Sequence, residues 1–182
     1  TASPMIGELR GQPLPAQQPV RIVIARLTHS HVGGILGRSR KGDIQVVGIY
    51  ETDKDVVERY AKRFNFDKQL VQTDLGKMLD ALKPEAVVAF GSIAEHLSVV
   101  EAAAPRGINV MVEKPLAFSI REGQALVEEL RKHNRVGQTG TQQRSDKSFR
   151  FSAELILNGH LGKLERIEVL IPANNKYVGC NW

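Results

Sequence analysis

Asn109-Val110-Met111-Val112-Glu113-Lys114-Pro115-Leu116 sets four residues of strand character directly against a charged pair and a proline. Asn109 to Val112 reads as the end of a buried strand. Such a strand delivers Lys114 at its carboxyl end, the edge where open α/β sheets bind ligands. Proline cannot donate to a sheet ladder and restrains the residue before it, so Lys114 is expected to stand extended at the rim, ahead of an X-Pro bond that can be cis. Taken alone, the triplet is more simply a strand end with a solvated Glu-Lys pair. The chain on either side changes that reading.

Outward from this stretch, short apolar runs alternate with helical patterns. Upstream, strands are expected at Val20–Ala25, Gln45–Tyr50, Leu70–Gln72 and Ala86–Phe90, with Ile108–Val112 as the fifth. Between them, a short helix is expected over Val32–Arg38. Asp53 can cap a helix presenting Val56, Val57, Tyr60, Ala61 and Phe64, and Asp74 can cap one presenting Leu75, Met78, Leu79 and Leu82. A fourth helix carries Leu97, Val99, Val100 and Ala103 inward and stops near Pro105 and Gly107. Downstream, Ser119-Ile120-Arg121-Glu122 is a capping-box start to a further helix, and Arg135–Thr139 is a sixth strand. The continuous apolar run Ala86–Phe90 suits a parallel strand covered on both faces. About six alternations with short connections predict a Rossmann-like, doubly wound α/β parallel sheet of order 3-2-1-4-5-6.

The ends differ in character. Residues 1–19 are rich in Pro and Gln, lack periodicity and read as a mobile tail; the absence of an initiating Met suggests a processed or trimmed start. From Ser145 a helix over Phe149–Leu157 ends at Asn158-Gly159, and Glu165–Ile171 reads as an alternating strand. One strand without a partner makes a poor domain. Residues 20–144 are therefore expected to form the Rossmann-like domain, and residues 145–182 the beginning of a truncated α+β second domain.

Composition bounds the function. The chain has 182 residues, 42% hydrophobic and 25% charged, which allows one packed domain and a fragment of another. The single Cys180 excludes an internal disulfide and leaves the redox compartment open. No apolar run is long enough for a membrane span and no signal peptide is evident, so a cytoplasmic location is expected, with export the alternative. The net charge of +5 arises from 25 Lys and Arg interspersed with 20 Asp and Glu. With no basic block and few aromatics, this favours small anions over nucleic acid.

The β–turn–α opening, Glu51 closing strand two, Glu113-Lys114-Pro115 closing strand five and Gly140-Thr141-Gln142-Gln143-Arg144 after strand six together resemble the glucose–fructose oxidoreductase/inositol dehydrogenase/MocA family. Gly159-His160-Leu161-Gly162-Lys163 resembles the start of that family's second domain. The resemblance runs from Val20 to Ile171, and Glu-Lys-Pro is its most specific element. It implies a nicotinamide-dependent oxidoreductase acting on a sugar or polyol, or a relative of the family's NAD-dependent glycoside hydrolases. It also implies that Lys114 hydrogen-bonds the reacting hydroxyl and helps move its proton, while Glu113 steers the lysine or the ribose. A homo-oligomer, or pairing through the exposed second-domain strand, is expected.

The chain departs from the family at its phosphate loop. Where G-x-G-x-x-G is wanted, Arg26-Leu27-Thr28-His29-Ser30-His31 carries Arg26, Thr28 and His31. Side chains at the first two positions should obstruct the pyrophosphate. Free N–H groups at a helix start still favour an anion, and Thr28, Ser30, His29 and His31 could donate in place of the glycines. Gly33 and Gly34 come too late to restore the fingerprint. The His29-Ser30-His31 pair invites a zinc reading, but no Cys, His or acidic cluster stands nearby in sequence to complete a tetrahedral set, so no metal site is expected.

Glu51 lies 25 positions beyond Arg26, near the ~20-residue spacing of a ribose-binding acid. In that role it would accept both ribose hydroxyls and repel a 2′-phosphate, favouring NAD over NADP; the alternative is a surface acid at a strand end. Gly91 and Ser92 fall where the family's cofactor loop lies. His96 matches a family histidine or is a helix-surface histidine. Gln142 and Arg144 match the loop facing the nicotinamide end, with a structural ion pair the alternative for Arg144. Two functions stay open: an NAD-dependent sugar oxidoreductase, or a non-catalytic Rossmann-like binding or regulatory module with a degenerate phosphate loop.

Overall fold

The computed structural model of the protein describes residues 18–38 and 41–169. Six strands, β1 (Val20–Ala25), β2 (Ile44–Tyr50), β3 (Val71–Gln72), β4 (Ala86–Ala89), β5 (Asn109–Glu113) and β6 (Gly137–Gly140), form one sheet of order β3-β2-β1-β4-β5-β6. Every neighbouring pair is parallel. The order is the one expected from the strand–helix alternation, and it puts the carboxyl ends of β1, β2, β4 and β5 on one rim. Strand limits differ from the sequence expectation by one or two residues, the latitude that fraying ends carry.

Alternation along the strands builds two cores. Ile22 and Ile24 of β1 and Val88 of β4 face one side, where they pack with Leu27, Val32, Leu36, Ile49, Val56, Tyr60 and Phe90. Val23 and Ala25, with Val87 and Ala89, face the other and pack with Met78, Leu79, Val99, Val100, Leu126 and Leu130. Successive side chains on a strand point to opposite faces, so an uninterrupted apolar run means that both faces are covered.

The covering helices are α1 (Val32–Arg38), α2 (Lys54–Phe64), α3 (Leu75–Leu82), α4 (His96–Ala103) and α5 (Ile120–Lys132). Their starts obey local chemistry. The Asp53 carboxylate accepts from the amides of Asp55 and Val56, Asp74 accepts from the amide of Lys77, and Ser119 and Glu122 close a capping box. Gly33 lets α1 approach α2, since a β-carbon there would lie 2.8 Å from Cζ of Phe64.

After β6, a short 3-10 turn (Gln142–Ser145) leads to α6 (Lys147–Leu157), which buries none of its residues. Glu165–Ile171 differs from expectation. Residues 165–169 join no strand, and Ile167 and Val169 stay 72% and 77% exposed. A strand exists only through its ladder partner, and alternation of side chains without a neighbouring edge supplies none. Residues 170 and 171, like the expected tail over residues 1–17, lie outside the described residues. No helix among the described residues is long and apolar enough to cross a membrane.

Candidate functional site

Three of the protein's buried polar residues, Glu51, His96 and Glu113, are 1–2% exposed and all stand at or just beyond the carboxyl rim. Burying charged or polar groups is unfavourable unless they are hydrogen-bonded, so each one's partners define what the rim can do.

At the β1–α1 turn, Arg26 takes the first-glycine position and adopts the backbone that a glycine would. Its φ is 70°, in the left-handed region that costs a side-chain-bearing residue roughly 1–2 kcal/mol. The side chain lies across the ends of three strands. Its Nη1 donates to Oε1 of Glu51 at 2.9 Å and its Nε donates to Oε1 of Glu95 at 2.7 Å. The guanidinium also lies 5.0 Å from the centre of the Tyr50 ring. Glu51 is thereby saturated. Its Oε2 accepts from the Leu27 amide at 2.9 Å, and its Oε1 accepts from the Thr52 and Asp53 amides at 2.8 and 3.1 Å. Glu51 is therefore no surface acid. Glu95 takes its second set of bonds from Ser92, whose amide and hydroxyl donate to Oε2 at 2.9 and 3.1 Å.

The charges reinforce one another. Burial disfavours the ionised Glu95 carboxyl, but the Ser92 amide and the Arg26 guanidinium outweigh it and hold the group below the usual glutamate range. Burial likewise opposes the charge on Arg26, and the Glu95 hydrogen bond with the Glu95 and Glu51 charges raises its pKa further. Sequence reasoning missed both Arg26 as an ion-pairing residue and Glu95. The signal for Glu95 was present: Ser92-Ile93-Ala94-Glu95 is a capping-box pattern ahead of an apolar helix.

Around β5 a second cluster forms. Lys114 is exposed at the strand end and is followed by a cis bond to Pro115. Oε1 of Glu113 accepts from the Lys114 amide at 3.0 Å, and Oε2 lies 3.1 Å from Nδ1 of His31. Gly140 opposite makes room, because a β-carbon there would stand 3.2 Å from Oε2 of Glu113. The amide nitrogen of Gln142 is 2.6 Å from Nδ1 of His31, and the rings of His29 and His31 meet edge to face at 4.4 Å. His29, His31 and Glu113 thus present ligand atoms within 4.8 Å of one another. The premise that nothing completes the histidine pair does not hold: β5 brings the third donor from a distant part of the sequence.

The remaining predicted residues divide. Thr28 spends its hydroxyl on the Phe90 carbonyl at 3.1 Å, and the His29 amide donates to the same carbonyl at 2.9 Å. Gly91 sits under Arg26, since a β-carbon there would meet Glu95 and Arg26 side-chain atoms at 2.5 and 2.9 Å. His96 is not on the helix surface. Its Nδ1 lies 3.0 Å from the Leu116 carbonyl oxygen, and its Nε2 is buried with no hydrogen-bond partner among the described residues. Burial pushes the His29 imidazole below its usual range, with Glu113 opposing and His31, Lys114 and His96 adding to the fall. Ser30 is exposed beside it. Arg144 is exposed and forms no ion pair among the described residues.

Comparison with known proteins agrees with this fold. Residues 24–141 match the family model described as an oxidoreductase family with an NAD-binding Rossmann fold. The chain is 24% identical over 165 residues to the uncharacterized oxidoreductase YrbE of Bacillus subtilis, covering 84% of this chain and 48% of that protein. It is 24% identical over 141 residues to the myo-inositol 2-dehydrogenase of Thermotoga maritima, covering 71% of this chain and 42% of that protein. The chain therefore spans about half the length of the curated relatives it matches. Among solved structures, scyllo-inositol dehydrogenase from Lactobacillus casei with bound NAD(H) and scyllo-inositol superposes with a TM-score of 0.66 at 22% identity, covering 79% of this chain and 42% of that one. With a family match running from β1 to the loop after β6, on a sheet of the same topology, the chain belongs to the glucose–fructose oxidoreductase/inositol dehydrogenase/MocA oxidoreductase family with its NAD-binding Rossmann fold.

Proposed function

We propose that this chain is the dinucleotide-binding part of a nicotinamide-dependent oxidoreductase that acts on a sugar or polyol, with residues 20–144 as the cofactor domain and residues 145–182 beginning a substrate domain. The observation that carries this reading is the placement of Lys114, exposed at the carboxyl end of β5 on the rim it shares with Glu51. The inositol dehydrogenases among the relatives support the substrate class.

The residues fit the nicotinamide end of such a cofactor as they stand, and its adenosine end once Arg26 turns away from Glu51. The Thr28 and Ser30 amides donate to no acceptor among the described residues and remain for phosphate oxygens. Gly91 and Ser92 would flank the cofactor, Glu51 would take the ribose hydroxyls, and Gln142 and Arg144 would face the nicotinamide side. When bound, the ring supplies or accepts the hydride at the substrate carbon. Lys114 hydrogen-bonds the reacting hydroxyl and carries its proton. Glu113 fixes the Lys114 backbone through the hydrogen bond its carboxylate accepts from the Lys114 amide, and His96 holds the segment that follows through the Leu116 carbonyl. A freed Glu51 carboxylate repels a 2′-phosphate, so NAD is preferred over NADP.

Calorimetric titration with both nucleotides tests the reading. NAD is expected to bind more tightly, and Glu51→Ala to narrow the gap; tighter NADP binding would contradict the role of Glu51. The closed Arg26–Glu51–Glu95 network favours a second reading, a non-catalytic Rossmann-like module. Folded protein that binds neither nucleotide would select it.

A further inference from the structure

We propose that His29, His31 and Glu113 form a site for one divalent transition-metal ion of the zinc type. This goes beyond the dinucleotide reading and stands without it. The donor set is two imidazoles and one carboxylate, the combination of open zinc sites that leave a fourth position for water or another ligand. Nitrogen donors with a single carboxylate oxygen favour zinc and its first-row neighbours over magnesium or calcium, which ask for oxygen alone. The candidate ligand atoms already lie within 4.8 Å of one another. At metal–ligand distances of about 2.0–2.2 Å, small side-chain rotations bring them onto one ion.

Two further observations point to a cation rather than to a solvated polar cluster. Glu113 is 2% exposed, yet among the described residues its carboxylate has just one backbone amide and one imidazole as partners. That is thin compensation beside Glu51, which holds a guanidinium and three amides. Moreover, Nδ1 of His31 faces both Oε2 of Glu113 at 3.1 Å and the amide nitrogen of Gln142 at 2.6 Å. It can donate to the first or accept from the second, but a single nitrogen cannot do both. A cation between His31 and Glu113 satisfies the carboxylate and the imidazole lone pair together. Turning the Gln142 amide over then presents its oxygen as a fourth donor. The supports are firm: Glu113 ends β5, a strand paired on both sides, and the turn carrying both histidines is tied down by the hydrogen bond from the His29 amide to the Phe90 carbonyl and by Glu51. Such anchoring keeps first-shell ligands in register.

The test is titration of chelator-stripped protein with zinc chloride in a calorimeter, and with cobalt(II) chloride followed by visible absorption, without nucleotide. One ion per chain is expected, with cobalt bands of four-coordinate intensity. His31→Ala and Glu113→Gln are each expected to weaken zinc binding at least tenfold, and His160→Ala, at an exposed histidine outside the cluster, to leave it unchanged. Far-UV circular dichroism confirms that each variant is folded, and His29→Gln serves as a third variant should one fail to fold. Absence of stoichiometric zinc binding by the wild-type chain would overturn the proposal. So would zinc affinity unchanged in the His29→Gln/His31→Ala double variant, as expected for an ion held by Cys180 instead. Either result leaves the nucleotide titrations, and the reading they test, untouched.

Discussion

Arg26 decides most of what happens on the rim at the scale of single residues. Its left-handed backbone costs roughly 1–2 kcal/mol, while each charge-assisted bond it makes contributes roughly 1.5–3 kcal/mol. Arg26→Gly removes both effects, two charge-assisted bonds together worth roughly 3–6 kcal/mol against the relieved backbone, so a net loss of about 1–5 kcal/mol is expected in urea unfolding. NAD affinity is expected to rise at least tenfold, because the loop opens and Glu51 is released; NAD binding no tighter than in the wild type would show that Arg26 does not obstruct the cleft. Glu95 gives the pH dependence. Its folded-state pKa lies below the ordinary glutamate value, so its contribution to stability is present above that value and is lost as pH falls through it towards the lower folded one. Urea unfolding from about pH 6 down to about pH 3 is expected to show a shallower loss of stability in Glu95→Gln than in the wild type. The burial-lowered His29 acts in a different window: as pH falls through the ordinary imidazole range, the unfolded chain takes up the proton first and stability falls there.

Elements were more legible than contacts. Period and caps located every helix through α6, because Asp53, Asp74 and Ser119 act on amides two or three residues away. The sheet order followed from alternation and crossover handedness. Lys114 and Glu51 reached their common rim for the same reason. Sequence spacing could not show that Arg26 would accept a glycine's backbone, or that Glu95 would meet it from the far side of β4. Nor could it show that Glu113 would lie against His31, since these are encounters between loops that only the finished sheet brings together. Glycines at strand–helix contacts are the same kind of feature. In β2 the register to β1 shifts between Ile22 and Val23, and a β-carbon on Gly48 would lie 2.7 Å from Cδ1 of Leu82 and 2.9 Å from Sδ of Met78. Gly48→Val is expected to overpack the β2–α3 contact and to lower stability by about 1–3 kcal/mol, measured by urea unfolding.

Over the whole molecule, burial is uneven. The sheet and its five helices enclose two cores, whereas among the described residues α6 and residues 158–169 enclose none. Phe149 and Phe151 are 58% and 61% exposed, Leu157 is 84% exposed, and Leu161, Leu164, Ile167 and Val169 are exposed as well. Each such side chain gains roughly 1.5–3 kcal/mol when fully buried. Exposed apolar side chains in this number mark a place where more protein is expected to sit. The proposed substrate domain or a second copy of the chain is expected to cover it; the relatives are about twice as long as this chain. The 182-residue chain by itself is therefore expected to self-associate, with a mass by light scattering that rises across a concentration series. Replacing Phe149, Phe151 and Leu157 together by Ser should restore a monomer without loss of helix signal, because none of the three contributes to either core. A wild-type chain that stays monomeric at high concentration, with slow amide exchange throughout residues 147–157, would show that α6 is stable without cover and that the apolar face calls for no partner.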